Sequence, residues 1–210
     1  MVQYKLNYFD LRGRGEAIRI LFKIAKVPFE DNRIAAEQWP AYKDETPFGQ
    51  IPVLEVDGQK LTHSTAILRY LGGQFGLTGK TPIENALIDA LADHLQDFQN
   101  EPDYKQWVYT VIGRVEGDAP ALFKEKVRPL LAQYAGLYEK FLVEHGRQSL
   151  ALGDNLTWLD VFAAETFTKF AEYGESDILE AFPHIEALIQ RVNSIPEVRA
   201  YLSERPKVAF

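Results

Sequence analysis

The sequence predicts a small α/β domain followed by an all-helical one. Three observations carry that expectation. An alternating strand opens the chain, an Asp-Gly hairpin signal lies at Asp57-Gly58, and beyond Pro82 the apolar residues recur only at helical spacing. With 210 residues the chain can build two small domains with a real core.

The elements follow in order. Val2, Tyr4, Leu6 and Tyr8 alternate with Gln3, Lys5 and Asn7, a period-two strand. From Gly15 to Lys26, Ala17, Ile18, Leu21, Phe22 and Ala25 mark one helix face. A short strand is expected over Phe29 to Ile34 and a helix over Ala36 to Lys43. Asp57-Gly58 joins Val53–Val56 to Gln59–Thr62 as an antiparallel hairpin. Ser64 caps a helix from Thr65 to Gln74, with Ala66, Ile67, Tyr70 and Leu71 inward. The Gly-rich stretch Gly72 to Pro82 reads as the boundary, giving units 1–77 and 83–210. Leu87, Leu91, Leu95 and Phe98 mark the next helix; more are expected at Pro120–His145, Thr157–Tyr173, Phe182–Ser194 and Glu197–Ser203. Thr157 with Asp160 forms a capping-box start.

Composition removes several functions. The chain is 46% hydrophobic and 25% charged, with a net charge of −7. That disfavours nucleic acid and anionic membrane surfaces, both of which reward clustered positive charge. There is no cysteine, so thiol catalysis by the chain, disulfides and Cys-ligated metal are excluded. Neither a signal-like start nor a membrane-length apolar run is present, so a cytoplasmic protein is expected. Asn155-Leu156-Thr157 matches a glycosylation sequon and reads as chance.

The stretch from Tyr8 to Gly15 (YFDLRGRG) raises the first chemical question. A dinucleotide loop would need a third glycine where Ile18 stands, and a longer parallel series. What remains is a helix start, which favours anions, with Arg14 supplying a planar donor fork. A small carboxylate or a thiolate suits it. Tyr8 has two readings: an aromatic in the core, or a hydroxyl donor aimed at a ligand above the strand end. Pro52, in Gln50-Ile51-Pro52-Val53, is either trans at a strand start or cis in a tight turn. The cis form would turn the Ile51 backbone outward to pair with an extended peptide. Ser64 is an N-cap, or with the free helix N–H groups a carboxylate seat. Each of these positions stands at a strand end or helix start of one β-α-β-α-β-β-α unit. That order is thioredoxin-like, here without Cys-x-x-Cys.

The chain resembles the cytosolic glutathione transferases, most closely the sigma class. The resemblance runs end to end. It rests on Tyr4-Lys5-Leu6, Tyr8-Phe9, Arg12-Gly13-Arg14, Trp39-Pro40, Lys43, Pro47-Phe48-Gly49, Ile51-Pro52, Leu54-Glu55-Val56-Asp57-Gly58, Ser64, Arg69-Tyr70-Leu71, Asp97-Phe98 and Thr157-Trp158. Their order and spacing make the match specific.

The resemblance implies roles. Tyr8 would be the catalytic hydroxyl on the glutathione sulfur, supported by Arg14. Trp39 and Lys43 would hold the glycine end. Gln50 would join the glutathione site, and Ile51 before a cis Pro52 would pair with the cysteinyl backbone. His63 and Ser64 would bind the γ-glutamyl carboxylate, and Asp97 would reach across a dimer interface to the γ-glutamyl ammonium. The electrophile pocket would draw on Leu11, Gly13, Tyr104, Phe162, Thr166 and Phe210, with Phe162 equally readable as core. Two positions depart from the family pattern. His63 stands where Gln is usual. Gln96 replaces an aspartate that prostaglandin D synthase-type members use in a divalent-cation site. Asp89, Asp93 and Asp97 share a helix face and read as a solvated acidic stripe, with no metal expected.

The implied activity is conjugation of glutathione, as co-substrate, to hydrophobic electrophiles by a cytoplasmic homodimer in detoxification. Glutathione-dependent prostaglandin H isomerisation and peroxidase activity are related possibilities. A non-catalytic carrier of apolar ligands, or a crystallin-like structural protein, is the alternative. A thiol has pKa near 8.5, and a hydrogen bond to a charged group contributes about 1.5–3 kcal/mol, so one donor lowers it by roughly one to two units.

Overall fold

A computed structural model describes residues 2–145, 155–207 and 210. Residues 146–154, 208 and 209 of the expected helical unit lie outside the described residues. The first half runs β1 (Tyr4–Phe9), α1 (Glu16–Ala25), β2 (Glu30–Ile34), a 3₁₀ turn (Ala36–Gln38) leading into α2 (Trp39–Lys43), β3 (Val53–Val56), β4 (Gln59–Thr62) and α3 (Ser64–Phe75). The second half is helical: α4 (Pro82–Asn100), α5 (Pro102–Val111), α6 (Ala119–Leu122), a π turn (Phe123–Val127), α7 (Arg128–His145), α8 (Trp158–Tyr173), a 3₁₀ turn (Ile178–Ala181), α9 (Pro183–Ser194) and α10 (Pro196–Glu204). The fold is therefore a thioredoxin-like α/β domain followed by a helical one.

The sheet order is β2-β1-β3-β4. β1 pairs parallel with β2 and antiparallel with β3, and β3 pairs antiparallel with β4. The hairpin forms as expected: Asp57 and Gly58 both take positive φ, at 48° and 84°. That conformation is what favours Asp-Gly in a two-residue turn. Central β1 is not a simple two-faced strand. Asn7, on the polar side of the alternation, is fully buried, accepts from Asn32 Nδ2 at 2.7 Å and donates to Glu55 at 2.9 Å.

Several elements differ from the pattern-based reading. His63, not Ser64, is the N-cap of α3, at φ 65°, and its side chain makes no capping bond. The buried face of α3 is Ser64, Ile67, Leu68, Leu71 and Gly72, whereas Ala66 and Tyr70 are half-buried. Gly72 and Gly73 belong to that helix rather than to a linker. A Cβ on Gly72 would collide with the Trp158 indole, so glycine is what lets α3 and α8 meet backbone to ring. On α4 the core stripe is Ile88, Ala92, Leu95, Phe98 and Gln99, with Leu87 and Leu91 at its edge. The α5 helix lies outside every expected span, although Pro102 at its first turn is a start signal. The Thr157–Asp160 capping box forms as expected, with Asp160 Oδ2 2.7 Å from the Thr157 N–H.

The helical core is dominated by rings. Trp107 stacks on Phe170 with centroids 5.6 Å apart, Phe123 tilts against Trp107 at 5.2 Å, and Phe98 stacks on Tyr134 at 4.9 Å. Such pairs contribute beyond the apolar area they bury. The two halves are joined at Trp158, whose N–H donates to the Leu77 carbonyl at 3.0 Å. The Arg69 guanidinium lies 5.7 Å from its ring centre.

Candidate active site

The end of β1, the loop that follows, the starts of α2 and α3 and the inner faces of α4 and α5 enclose a cleft of about 1310 Å³. Tyr8 stands at its floor, 6% exposed. Its hydroxyl accepts the Arg14 backbone N–H at 2.9 Å, which leaves its own hydrogen to donate. Burial pushes the phenol pKa up against the pull of the Arg14 N–H and the Arg14 and Arg19 charges. The hydroxyl is therefore neutral near pH 7 and acts as a donor, not as an oxyanion.

The two glycines of the corner are set by this ring. A Cβ on Gly15 would lie 2.5 Å from Tyr8 Cδ1, and Gly13, at φ 40°, would place one against the hydroxyl. The loop is also fixed from below, because alternate carbonyls are held by buried cations. Arg19 donates to Phe9 O at 3.3 Å and Leu11 O at 2.9 Å, and Lys169 Nζ donates to Gly13 O at 2.9 Å.

Those cations belong to one network. Arg12 forks onto both oxygens of Glu165, at 3.0 and 2.9 Å, and also reaches Glu172. Lys169 lies 3.3 Å from Glu165, Arg19 lies 3.0 Å from Glu16, and Arg205 lies 3.1 Å from Glu16. Burial would raise the Glu165 carboxyl, but the Lys169 and Arg12 charges outweigh it and hold the group below the usual carboxylate range.

Most residues singled out from the sequence meet in this cleft. Tyr8, Leu11, Gly13, Arg14, Trp39, Lys43, Gln50, Ile51, Pro52, His63, Ser64, Tyr104 and Phe210 all line it. The Ile51–Pro52 bond is cis. Ser64 is buried at the start of α3, where unpaired helix N–H groups suit an anion. His63 is exposed and tilts against Phe48, with ring centres 5.8 Å apart. Lys43 and Trp39 stand on α2, and the Phe9 ring meets Trp39 edge-on at 5.4 Å.

Three residues do not join them. Phe162 and Thr166 fall outside the cleft lining. Phe162 is 3% exposed in the core of α8, and the Thr166 hydroxyl is taken up by Phe162 O at 2.8 Å and Gln99 Nε2 at 3.0 Å. Both are packed into the helical core, Thr166 one hydrogen bond behind the cleft-lining Gln99. Asp97 is exposed on α4 and does not line this chain's own cleft. Among the described residues no group of three His, Asp or Glu side chains is placed to hold a metal ion, and Asp89 pairs with Arg69 at 2.7 Å.

The sequence left other lining residues unassigned. Gln96, oriented so that its amide nitrogen meets Thr65 Oγ1 at 2.8 Å, turns its oxygen to the Arg14 guanidinium. Arg14 also donates to Asn100 Oδ1 at 3.0 Å. Lys105, Val108, Tyr109 and Ile112 come from α5 and its end. Arg114 follows, 4.9 Å from the Tyr109 ring centre. Their i, i+3, i+4 spacing was the available signal. Lys169 closes the inner end, its ammonium 5.0 Å from the Phe210 ring centre.

The comparisons with known proteins agree with this geometry. The family model for the glutathione S-transferase N-terminal domain matches residues 4–73, and that for the C-terminal domain matches residues 104–205. A probable glutathione S-transferase of Caenorhabditis elegans is 46% identical, covering 98% of each chain. Hematopoietic prostaglandin D synthase of Gallus gallus is 36% identical over all of both chains. The crystal structure of a monomeric glutathione S-transferase from the hookworm Necator americanus is 40% identical and superposes with a TM-score of 0.92, covering 99% of this chain and 100% of that one. A tyrosine-floored cleft between a thioredoxin-like half and a helical half, matched along its whole length, places this chain in the glutathione S-transferase family.

Proposed function

We propose that the enzyme adds the glutathione thiolate to apolar electrophiles and that Tyr8 is the hydroxyl that holds the sulfur. The observation that carries this reading is the buried, neutral Tyr8 hydroxyl, already filled as an acceptor by the Arg14 N–H and free to donate. A donor aimed at sulfur stabilises thiolate over thiol, and the thiol proton leaves to solvent.

The remaining assignments follow the same cleft. Trp39 and Lys43 take the glycine end, the Gln50–Pro52 segment the cysteinyl backbone, and Ser64 with the His63 backbone the γ-glutamyl carboxylate. Leu11, Gly13, Tyr104 and Phe210, with Val108 and Ile112, form the electrophile wall. We assign residues 1–77 to glutathione binding and 83–210 to the electrophile side. We further propose a sigma-class, cytoplasmic detoxification enzyme. Its homodimer would bring Asp97 to the glutathione of the other subunit. A relative named as monomeric makes solution mass the direct check on that dimer. The prostaglandin D synthase relative supports including prostaglandin H among the substrates assayed.

The test is retention on immobilised glutathione, then turnover with aryl halides, alkenals, hydroperoxides and prostaglandin H, for wild type and Tyr8→Phe. Removing one preorganised donor is expected to lower turnover about 100-fold, with glutathione affinity changed less than about threefold. The acid limb of the pH–rate profile is expected to move up toward the free thiol value, near 8.5. Equal turnover in the two proteins would remove Tyr8 from the chemistry. Retention on the column without turnover of any substrate would assign a carrier.

A further inference from the structure

The Gly13–Arg14 peptide is held at both ends by groups of functional weight. Its carbonyl accepts from the Lys169 ammonium at 2.9 Å, and its N–H donates to the Tyr8 hydroxyl at 2.9 Å. Lys169 comes from α8, far along the chain, and is 2% exposed. Its other close partner is Glu165, whose oxygens already take the Arg12 fork. A structural ion pair would have been complete with Arg12 and Glu165 alone. A third, buried ammonium turned onto a loop carbonyl adds desolvation cost, and the carboxylate nearest to it is one it shares with Arg12.

We propose that Lys169 is a positioning residue for thiol ionisation: by polarising the Gly13–Arg14 peptide it strengthens the N–H held by the Tyr8 hydroxyl, and so the hydrogen bond Tyr8 gives to sulfur. The inference rests on the assignment of Tyr8 made above. An amide whose oxygen accepts from a cation becomes a better N–H donor. A hydroxyl that accepts a stronger bond becomes a better donor in turn. The chain runs from Lys169 Nζ through Gly13 O, the Arg14 N–H and Tyr8 Oη to the thiolate, in a buried setting where such bonds reinforce one another.

The charges that bear on the relay are few. Glu165 on its own helix, Arg12 on the loop and Glu16 on α1 act on Lys169. Burial pulls the Lys169 ammonium below its ordinary value, with Arg12 adding to that and Glu165 opposing it. The Tyr8 hydroxyl is faced by Arg14, Arg19 and the Tyr109 phenol, and lies close enough to couple to Tyr104.

The experiment is a double-mutant cycle read on the pKa of enzyme-bound glutathione, followed by the ultraviolet absorbance of the thiolate against pH with no electrophile present. Lys169→Met keeps the chain length and leaves Glu165 paired with Arg12. In the wild-type background the bound-thiol pKa is expected to rise by roughly half a unit, and in Tyr8→Phe the same substitution is expected to move it by less than about a tenth. No change with Tyr8 present, or an equal change with and without it, overturns the relay. Should Lys169→Met fail to fold, Lys169→Gln carries the same expectation at smaller amplitude, and an unchanged pKa there overturns it equally. Failure of the Tyr8 reading looks different, because Tyr8→Phe alone would then leave the bound-thiol pKa where it is in wild type.

Discussion

On the sheet side of the cleft the wall is built from strand and helix ends, whose main-chain geometry is fixed locally. The cis peptide at Ile51 and the first turn of α3 at Ser64 stand there, and the loop after Tyr8 is pinned from within, its Phe9, Leu11 and Gly13 carbonyls held by Arg19 and Lys169 and its Arg14 N–H by the Tyr8 hydroxyl. On the helical side the same work falls to side chains of α4, α5 and α8, among them Gln96, Lys105, Tyr109 and Lys169. Main-chain groups keep their positions when side chains change, so the first wall is the less variable of the two. A side-chain wall can be rewritten residue by residue.

Glu165 is where the two walls are tied together, and removing it should break that contrast most severely. Glu165→Leu strips Lys169 of its counterion and leaves Arg12 with Glu172 alone. Breaking a buried pair from one side costs about 3–5 kcal/mol, expected as a lower urea midpoint at unchanged slope. Unaltered stability would mean that the network is not what seats the loop. Next comes Gly15→Ala, whose methyl must displace the Tyr8 ring. About 1–3 kcal/mol of stability should go, and turnover should fall about ten- to a hundredfold. Gly72→Ala, which meets the Trp158 ring instead, should cost similar stability and leave the bound-thiol pKa unmoved. A matching pKa shift in both would erase the distinction between catalytic corner and scaffold. The smallest effect is expected at Ile112→Val. Losing one methylene from the electrophile wall should raise KM for apolar electrophiles about fourfold, the equivalent of ~0.8 kcal/mol, with KM for glutathione unchanged.

The same difference decides what could be read from the sequence. The Gly13-Arg14-Gly15 corner and the Asp57-Gly58 turn announce themselves because turns demand particular residues locally, whereas Tyr8 and Pro52 each keep two readings until the family resemblance is added. The cap of α3 was misplaced by one position for the same reason: serine is a strong N-cap by propensity, yet His63 takes that role through its backbone alone. Helix α5 lies outside the expected spans although Tyr104, Trp107, Val108 and Val111 stand at i, i+3, i+4 and i+7; only the first two are fully buried, so the stripe is short. Phe162 and Thr166 were placed in the pocket although α8 is buried nearly all round, where no pattern separates a core face from a cleft face. The ion network was invisible for a different reason. Arg12 meets Glu165 across 153 residues, a pairing that no local pattern encodes. A partial clue did exist, since Glu165, Lys169 and Glu172 recur at i, i+4 and i+7 on a helix that is buried nearly all round.

The Trp158 joint sets a limit on how this enzyme can change. Its N–H is committed to Leu77 O, its ring is pressed against a glycine, and a guanidinium lies over its face. A main-chain hydrogen bond, a glycine against the ring and a cation over its face thus meet on one residue, so a change at this single tryptophan is felt in both halves at once.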